Sequence, residues 1–206
     1  MTGPSIKTKG SSYWTSSRQL TDNSGLFKSG YCALAISLFD VGVTNFLQVL
    51  NAVDNFLEKG RSHLEGNGVD LQEIVDTRLY PDMASFQFQV TAVAHHSMGA
   101  VKGAETGEFA PPKGYGEPNY EGLQALIKEA VDFVSSFDEA TIEGMSGKSM
   151  VFKISGNELP FTVENFLMSF STPNLHFHAT TTYDILRMNG VPLGKMDYLG
   201  ALRMGS

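Results

Sequence analysis

One cysteine, Cys32, in 206 residues leaves no disulfide to form within the chain and no CxxC pair for metal or redox chemistry. Positive charge is short as well. Fifteen Lys and Arg face 22 Asp and Glu, for a net charge of −7 and a pI near 5.2. No Lys/Arg stripe overrides that balance, so nucleic acid is not an expected partner. Long apolar runs are missing too: the longest, residues 31–39, falls far short of the ~20 residues a membrane helix needs. It follows thirty mostly polar residues, the wrong place for a signal peptide, so a cytosolic chain without a membrane partner is expected. There is no GxGxxG and no Walker loop, hence no expected nucleotide cofactor.

What is present is core material. Hydrophobic residues make up 42% of the chain, and 14 of them are Phe, enough to form a core without disulfide or metal support. Residues 1–33 are rich in Ser, Thr, Gly and Lys without periodicity, and read as a flexible N-terminal arm. Residues 34–200 read as one helical-bundle domain and 201–206 as a C-terminal tail. From Asp40 on, Val43, Phe46, Leu47, Leu50, Val53 and Leu57 recur at three- and four-residue steps, the stripe of an amphipathic helix. Asp70-Leu71-Gln72-Glu73 resembles a capping box opening a short helix. Pro81-Asp82 predicts the start of a second long helix, with Asp82 as its cap.

The span from Gly103 to Asn119 predicts a long loop that crosses the bundle or covers a site. Leu123, Leu126, Ile127, Ala130, Val131 and Val134 then mark a third helix. The period changes to two around Gly156-Asn157, predicting a hairpin in which Pro160 marks an edge strand. The last helix is expected from Val163 to Asn189, kinked or split at Pro173, with an extended tail after it. The fold class is therefore mainly all-α, a four-helix bundle with a small β-hairpin before the last helix.

The informative residues are polar ones on apolar faces, placed by winding each helix at about 100° per residue. Asp54 falls between Leu47 and Leu50. His96 shares an edge with Gln89, whereas His95 falls with Thr91 and Lys102, opposite Met83, and is expected on the solvated side. On the last helix Asn174, His178, Thr181 and Ile185 form one strip. His176, Thr180, Tyr183 and Arg187 form an outward or subunit-contact face. An inward Asn–His pair needs partners, since an unpartnered polar group costs several kcal/mol. Interhelical hydrogen bonding would supply them, and so would a site in which imidazole moves a proton and Asn orients a substrate. HxxxH, two metal ligands on one helical face, does not occur, and a three-ligand site would require Asp54, His96 and His178 to converge.

The run from Pro173 to Arg187, followed by Asn189-Gly190-Val191-Pro192-Leu193-Gly194 and Lys195 to Gly200, resembles a family of bacterial and fungal proteins known as a domain of unknown function and related to the DinB/YfiT-like bundles. Arg78 to Met83, Gln89-Val90 and the hairpin carry the same resemblance over residues 36–200. It implies a DinB/YfiT-like four-helix bundle, a homodimer, and in the wider superfamily a three-histidine metal site. His178 resembles the second member of that site's HxxxH pair, Asn174 stands where the first His would be, and His95 or His96 lies near the ligand from the second helix. Asparagine is a poor ligand beside imidazole, so no bound metal is expected.

Three functions follow as expectations. The first is a small-molecule enzyme using acid–base chemistry on an apolar or aromatic substrate (an isomerase, cyclase or lyase, with a role in secondary-metabolite biosynthesis). Its catalytic residues would be His178, Asn174, His96 and Asp54, and its substrate contacts Gln89, Thr181, Phe86, His95 and Phe177. The second is a metal-dependent hydrolase or transferase, and the third a non-catalytic binding or interaction module.

Overall fold

A computed structural model describes residues 36–112, 114, 116 and 118–204. The N-terminal arm expected over residues 1–33, with Cys32, lies outside the described residues. Four long helical rods form the bundle. The first is a π-helical turn, Asp40–Thr44, running into α1, Asn45–Gly66. After the short α2, Leu71–Asp76, the second rod joins α3, Phe86–Ala94, a π turn, His95–Gly99, and α4, Ala100–Thr106. The third is α5, Tyr120–Ser135, followed by the short α6, Glu139–Glu143. The fourth joins α7, Val163–Phe166, a π turn, Leu167–Ser171, and α8, Thr172–Met188. A last helix, α9, spans Lys195–Leu199.

Side-chain caps set several starts: Asn119 accepts from the Gly122 amide, and Thr162 from the Asn165 amide. Asp70 caps α2 on the Gln72 amide rather than through the full capping box expected there. The second rod begins later than Pro81-Asp82 predicts. Residues 78–85 close a turn through an Arg78–Ser85 bridge, and the helix opens at Phe86 behind Ser85. Pro173 lacks the N–H that would bond one turn back and its ring crowds the carbonyl there. The π turn just before it absorbs both, so the rod continues instead of breaking.

The span after Gly103 is not all loop. Helix α4 runs to Thr106, ends on the left-handed Gly107 at φ 79°, and β1, Glu108–Phe109, pairs in parallel with β2, Ser149–Ile154. Strands β2, Ser149–Ile154, and β3, Asn157–Thr162, form the expected hairpin. Its turn is Ser155-Gly156, one residue earlier than predicted, with both φ positive, as a two-residue type I′ turn requires. Pro160 sits on β3, an edge of the β1-β2-β3 sheet. The tail after Asn189 folds back as α9: Gln48 donates to the Leu199 carbonyl at 2.9 Å and Lys59 pairs with Asp197. This segment covers the face of α8 expected to point outward, where His176 Nδ1 lies 3.0 Å from the Tyr198 hydroxyl.

The core contains Phe46, Leu50, Phe56, Leu57, Phe86 and Leu123, each with no measurable exposure. Gly60 lets α1 approach α5 and α8 closely, since a Cβ there would stand 2.8 Å from the Tyr120 hydroxyl and 3.1 Å from a Leu186 methyl. That hydroxyl donates to the Leu57 carbonyl at 2.8 Å. A second apolar centre lies under the sheet, where Phe109 and Phe166 are 4.9 Å apart and Phe152 and Phe170 4.7 Å. Among the described residues no helix is long and apolar enough to cross a membrane.

Candidate functional site

Where α3 crosses α8, the aromatic cluster under the sheet opens into a cavity of about 280 Å³. Phe109, Phe152 and Phe170 form its floor, Phe88 and Ile154 stand at its edge, and Pro111 and Pro112 close it from the span after β1. The polar groups on its wall are Thr91, His95, His96, Asn174 and His178, and none of its lining side chains carries a formal carboxylate, ammonium or guanidinium. It is at the small end of ligand-pocket sizes.

Each histidine is positioned by its own local structure. His178 Nδ1 lies 2.7 Å from Gln89 Oε1 across the α3–α8 contact. Gln89 is 2% exposed, and its amide nitrogen donates to the Ala84 carbonyl at 3.0 Å, which turns Oε1 toward the ring. An acceptor at that place requires the proton of neutral His178 on Nδ1 and leaves a lone pair on Nε2. His96 lies within the π turn of the second rod. Ser171 donates to the His96 carbonyl at 2.7 Å, and Ser97 to the Val93 carbonyl at 2.8 Å, so side chains occupy two carbonyls around the irregular turn. The His96 ring stacks on that of His178 with centroids 5.7 Å apart and planes 12° from parallel. Its Nδ1 is buried without a hydrogen-bond partner among the described residues. His95 is half-buried rather than solvated. Its ring lies 4.5 Å from that of Phe109 and hydrogen-bonds to the backbone of Ala110, because β1 and the residues after it fold over this face of the helix.

Burial sets the charge state. Loss of hydration holds the His178 imidazole down at about 4, and loss of hydration with repulsion from His95 and His178 holds His96 at about 3. Burial also lowers His95. At neutral pH the wall therefore presents neutral imidazoles, which accept or donate single hydrogen bonds and do not attract anions as imidazolium would. Asn174 Nδ2 donates to the Phe170 carbonyl at 2.7 Å, and the Thr91 hydroxyl to the Phe88 carbonyl at 2.9 Å. Both side-chain oxygens keep lone pairs for a ligand.

Of the residues singled out from the sequence, the fold brings His178, Asn174, His96 and His95 to this cavity, with Gln89 directly behind His178. Four others lie elsewhere. Asp54 sits on α1 away from the cavity, with its Oδ1 buried and unpartnered among the described residues. Phe86 points into the opposite core and stacks on Tyr120 at 5.7 Å. Thr181 is buried and donates to the Phe177 carbonyl at 2.8 Å. Phe177 is 56% exposed and touches the His178 ring edge-on from outside. The floor residues Phe109, Phe152 and Phe170 escaped sequence reasoning, since each also suits an ordinary core position. The length of the span after Gly103 was the usable signal for the lid residues Pro111 and Pro112.

The profile of a family described as Domain of unknown function (DUF1993) matches residues 38–199. The chain belongs to the DUF1993 family. Among solved structures, a crystal structure of a DinB family member protein from Shewanella denitrificans is similar at a TM-score of 0.68 and 26% identity, covering 82% of this chain and 95% of that one. No curated protein matches the chain. The DUF1993 chain thus has a DinB-like bundle, and the three-histidine metal site implied by the sequence resemblance can be tested on its side chains. Its side chains do not fit one. Among the described residues no group of three His, Cys, Asp or Glu is placed to share an ion. The His178 Nδ1 is held by Gln89, Asn174 replaces one imidazole, and the His96 and His178 rings are stacked. A metal lies in the plane of each imidazole that ligates it, and stacked rings do not direct their lone pairs to one nearby point.

Proposed function

We propose that this DUF1993 protein is an enzyme that moves a proton on a small uncharged molecule, with reaction types of the isomerase, cyclase or lyase kind. The observation that carries the reading is His178: a neutral imidazole on the wall of an apolar cavity, fixed by Gln89 so that Nε2 is its accepting atom. Such a group is a general base that stays available across the whole neutral range. Asn174 orients the substrate through the oxygen its amide leaves open, and His96, 5.7 Å from His178 between ring centroids, is its partner in the site. The charge-free wall selects against ionic substrates, since a charge entering it would lose hydration without a counter-ion.

The test is deuterium exchange into 1-phenylpropan-2-one in D₂O, followed by NMR. Removal of a proton next to the carbonyl by His178 Nε2 gives the enolate, and return of a deuteron from the exchanged imidazolium restores the ketone. The protein should accelerate exchange over buffer, and His178→Ala should lose ~10²-fold or more of that acceleration. Equal exchange with wild type and buffer would refute the reading. A homodimer and a cytosolic location are proposed alongside. The lone cysteine supports the location. Exposed Met188 and Phe177 on α8, at 54% and 56%, support the dimer, and light scattering at micromolar concentration checks it.

A further inference from the structure

We infer a substrate class, which rests on the proton-transfer reading: an aromatic carbon acid that carries a separate, uncharged hydroxyl or amino group on its ring. Asn174 and Thr91 receive that group as acceptors, while the acidic C–H faces His178. The polar side chains of the cavity wall spend hydrogens on the protein itself. The Thr91 hydroxyl gives its only hydrogen to the Phe88 carbonyl at 2.9 Å, and Asn174 gives one amide hydrogen to the Phe170 carbonyl at 2.7 Å. Neutral His178 gives its one to Gln89 at 2.7 Å, and the His95 ring is engaged with the backbone of Ala110. What Thr91, Asn174 and His178 still offer is mostly lone pairs, on Oγ1, Oδ1 and Nε2. All three residues line the cavity, and none of these three atoms is among the polar atoms buried without a partner. A ligand that brings donors is matched there, and one that brings only acceptors gains no bond from them.

Packing sets where the acceptors stand. Gln89 meets His178, and Ser171 donates to the His96 carbonyl at 2.7 Å, so the second and fourth rods run antiparallel here. Thr91 lies between the two contacts on one rod, and Asn174 lies between them on the other. Asn174 and His178 are four residues apart on α8, one turn, which puts about 5–6 Å between their Cβ atoms. An acidic carbon before His178 and a donor before Asn174 are then separated by about the width of a benzene ring with its two para substituent atoms. The His96 ring takes no part in the bond to His178 Nε2, because it stands 5.7 Å away and only 12° from parallel.

Size and lining agree with a ring between the two positions. Phe88, Phe109, Phe152 and Phe170 supply the flat apolar faces around it. At the packing density of a protein interior, 280 Å³ holds about ten non-hydrogen atoms. That is room for one ring, a short keto side chain and one small substituent.

Three ketones test the assignment. 1-(4-Hydroxyphenyl)propan-2-one carries the donor, 1-(4-methylphenyl)propan-2-one has nearly the same shape without it, and 1-(4-methoxyphenyl)propan-2-one only accepts. Deuterium exchange with the full chain gives KM and kcat, and NMR titration of each ketone gives Kd independently of turnover. The hydroxy ketone should show KM and Kd ~10-fold below those of the methyl ketone. Its kcat should stay within about twofold, because a bond remote from the reacting carbon holds ground and transition states alike. The methoxy ketone should gain nothing over the methyl one. Asn174→Leu, checked for folding by circular dichroism, should erase the preference for hydroxyl over methyl, and the nearly isosteric Thr91→Val should shrink it ~3-fold. Equal Kd for the hydroxy and methyl ketones, or a preference that survives intact in both variants, would overturn the assignment. A hydroxyl preference lost in Asn174→Leu, without exchange of any ketone, would sustain the acceptor site and refute proton transfer. Exchange of all three ketones with equal KM would do the reverse.

Discussion

The α1–α5 contact and the α3–α8 contact both carry polar groups into an apolar bundle, and they treat them in opposite ways. Between α1 and α5 the Tyr120 hydroxyl is used up on the Leu57 carbonyl, and Gln124 on Glu58 at 2.9 Å. Gly60 brings the helices together until no space remains. Burial pushes the Tyr120 hydroxyl far above its ordinary range, so it serves only as a donor. Between α3 and α8 Gln89 satisfies one nitrogen of His178 and no more, and the ring beside it, His96, keeps a nitrogen unsatisfied in a buried place. A polar group that closes its hydrogen bonds inside the protein holds helices in register. One that leaves a valence open beside a cavity keeps a desolvation cost that a ligand could offset.

The comparison can be broken by substitution. Phe109→Ala removes the pillar under both His95 and His96, and should cost about 3–5 kcal/mol in chemical denaturation. A loss below about 1 kcal/mol would mean the cavity floor is not part of the core. Gly60→Ala on the closed side should cost about 1–3 kcal/mol, because the new methyl meets the Tyr120 hydroxyl and Leu186. Deuterium exchange at the open side should be unchanged in that variant. Gln89→Leu should cost about 1–2 kcal/mol from the stranded His178 N–H, and reduce exchange by leaving the ring without a fixed tautomer.

Acid sharpens the contrast further. Both His96 and His178 are held below the ordinary imidazole value of 6.5, at about 3 and about 4. The unfolded chain takes up protons there before the folded one does. Their contribution is present above pH 6.5 and is lost as pH falls through 6.5 toward about 4 for His178 and about 3 for His96. The melting temperature should drop on the order of 5 °C over that window, and His178→Asn should flatten the slope. The smallest effect is expected from Asp54→Asn, within about twofold on exchange, since its carboxylate is not part of the cavity wall. A larger loss would show that α1 contributes to the site.

Much of the bundle was legible in the chain. Stripes at three- and four-residue spacing located the four rods, and the change to a period of two located the hairpin with Pro160 on its edge. Helix starts were less so, because Asp82 satisfies the same local preference as a cap whether or not a bridge between Arg78 and Ser85 claims the turn first. In the site, His96, His178 and Asn174 stood out as polar residues on apolar faces. Phe109 did not, because a Phe lining a cavity and a Phe filling a core obey one pattern. His95 was placed on the wrong side for a related reason: helix winding alone says nothing of a strand that later folds over the helix.

The amino-acid sequence by itself determined the rods, the hairpin, the acidic surface and the absence of an HxxxH pair, since each depends on neighbours a few residues apart or on composition. Only the tertiary structure decided that Gln89 meets His178 across 89 positions, that α9 covers His176, and that Asp54 and Phe86 are not among the residues lining the cavity. Those outcomes depend on how whole helices pack, and side chains far apart along the chain acquire a tautomer, a depressed pKa or a partner only after packing has removed the water between them.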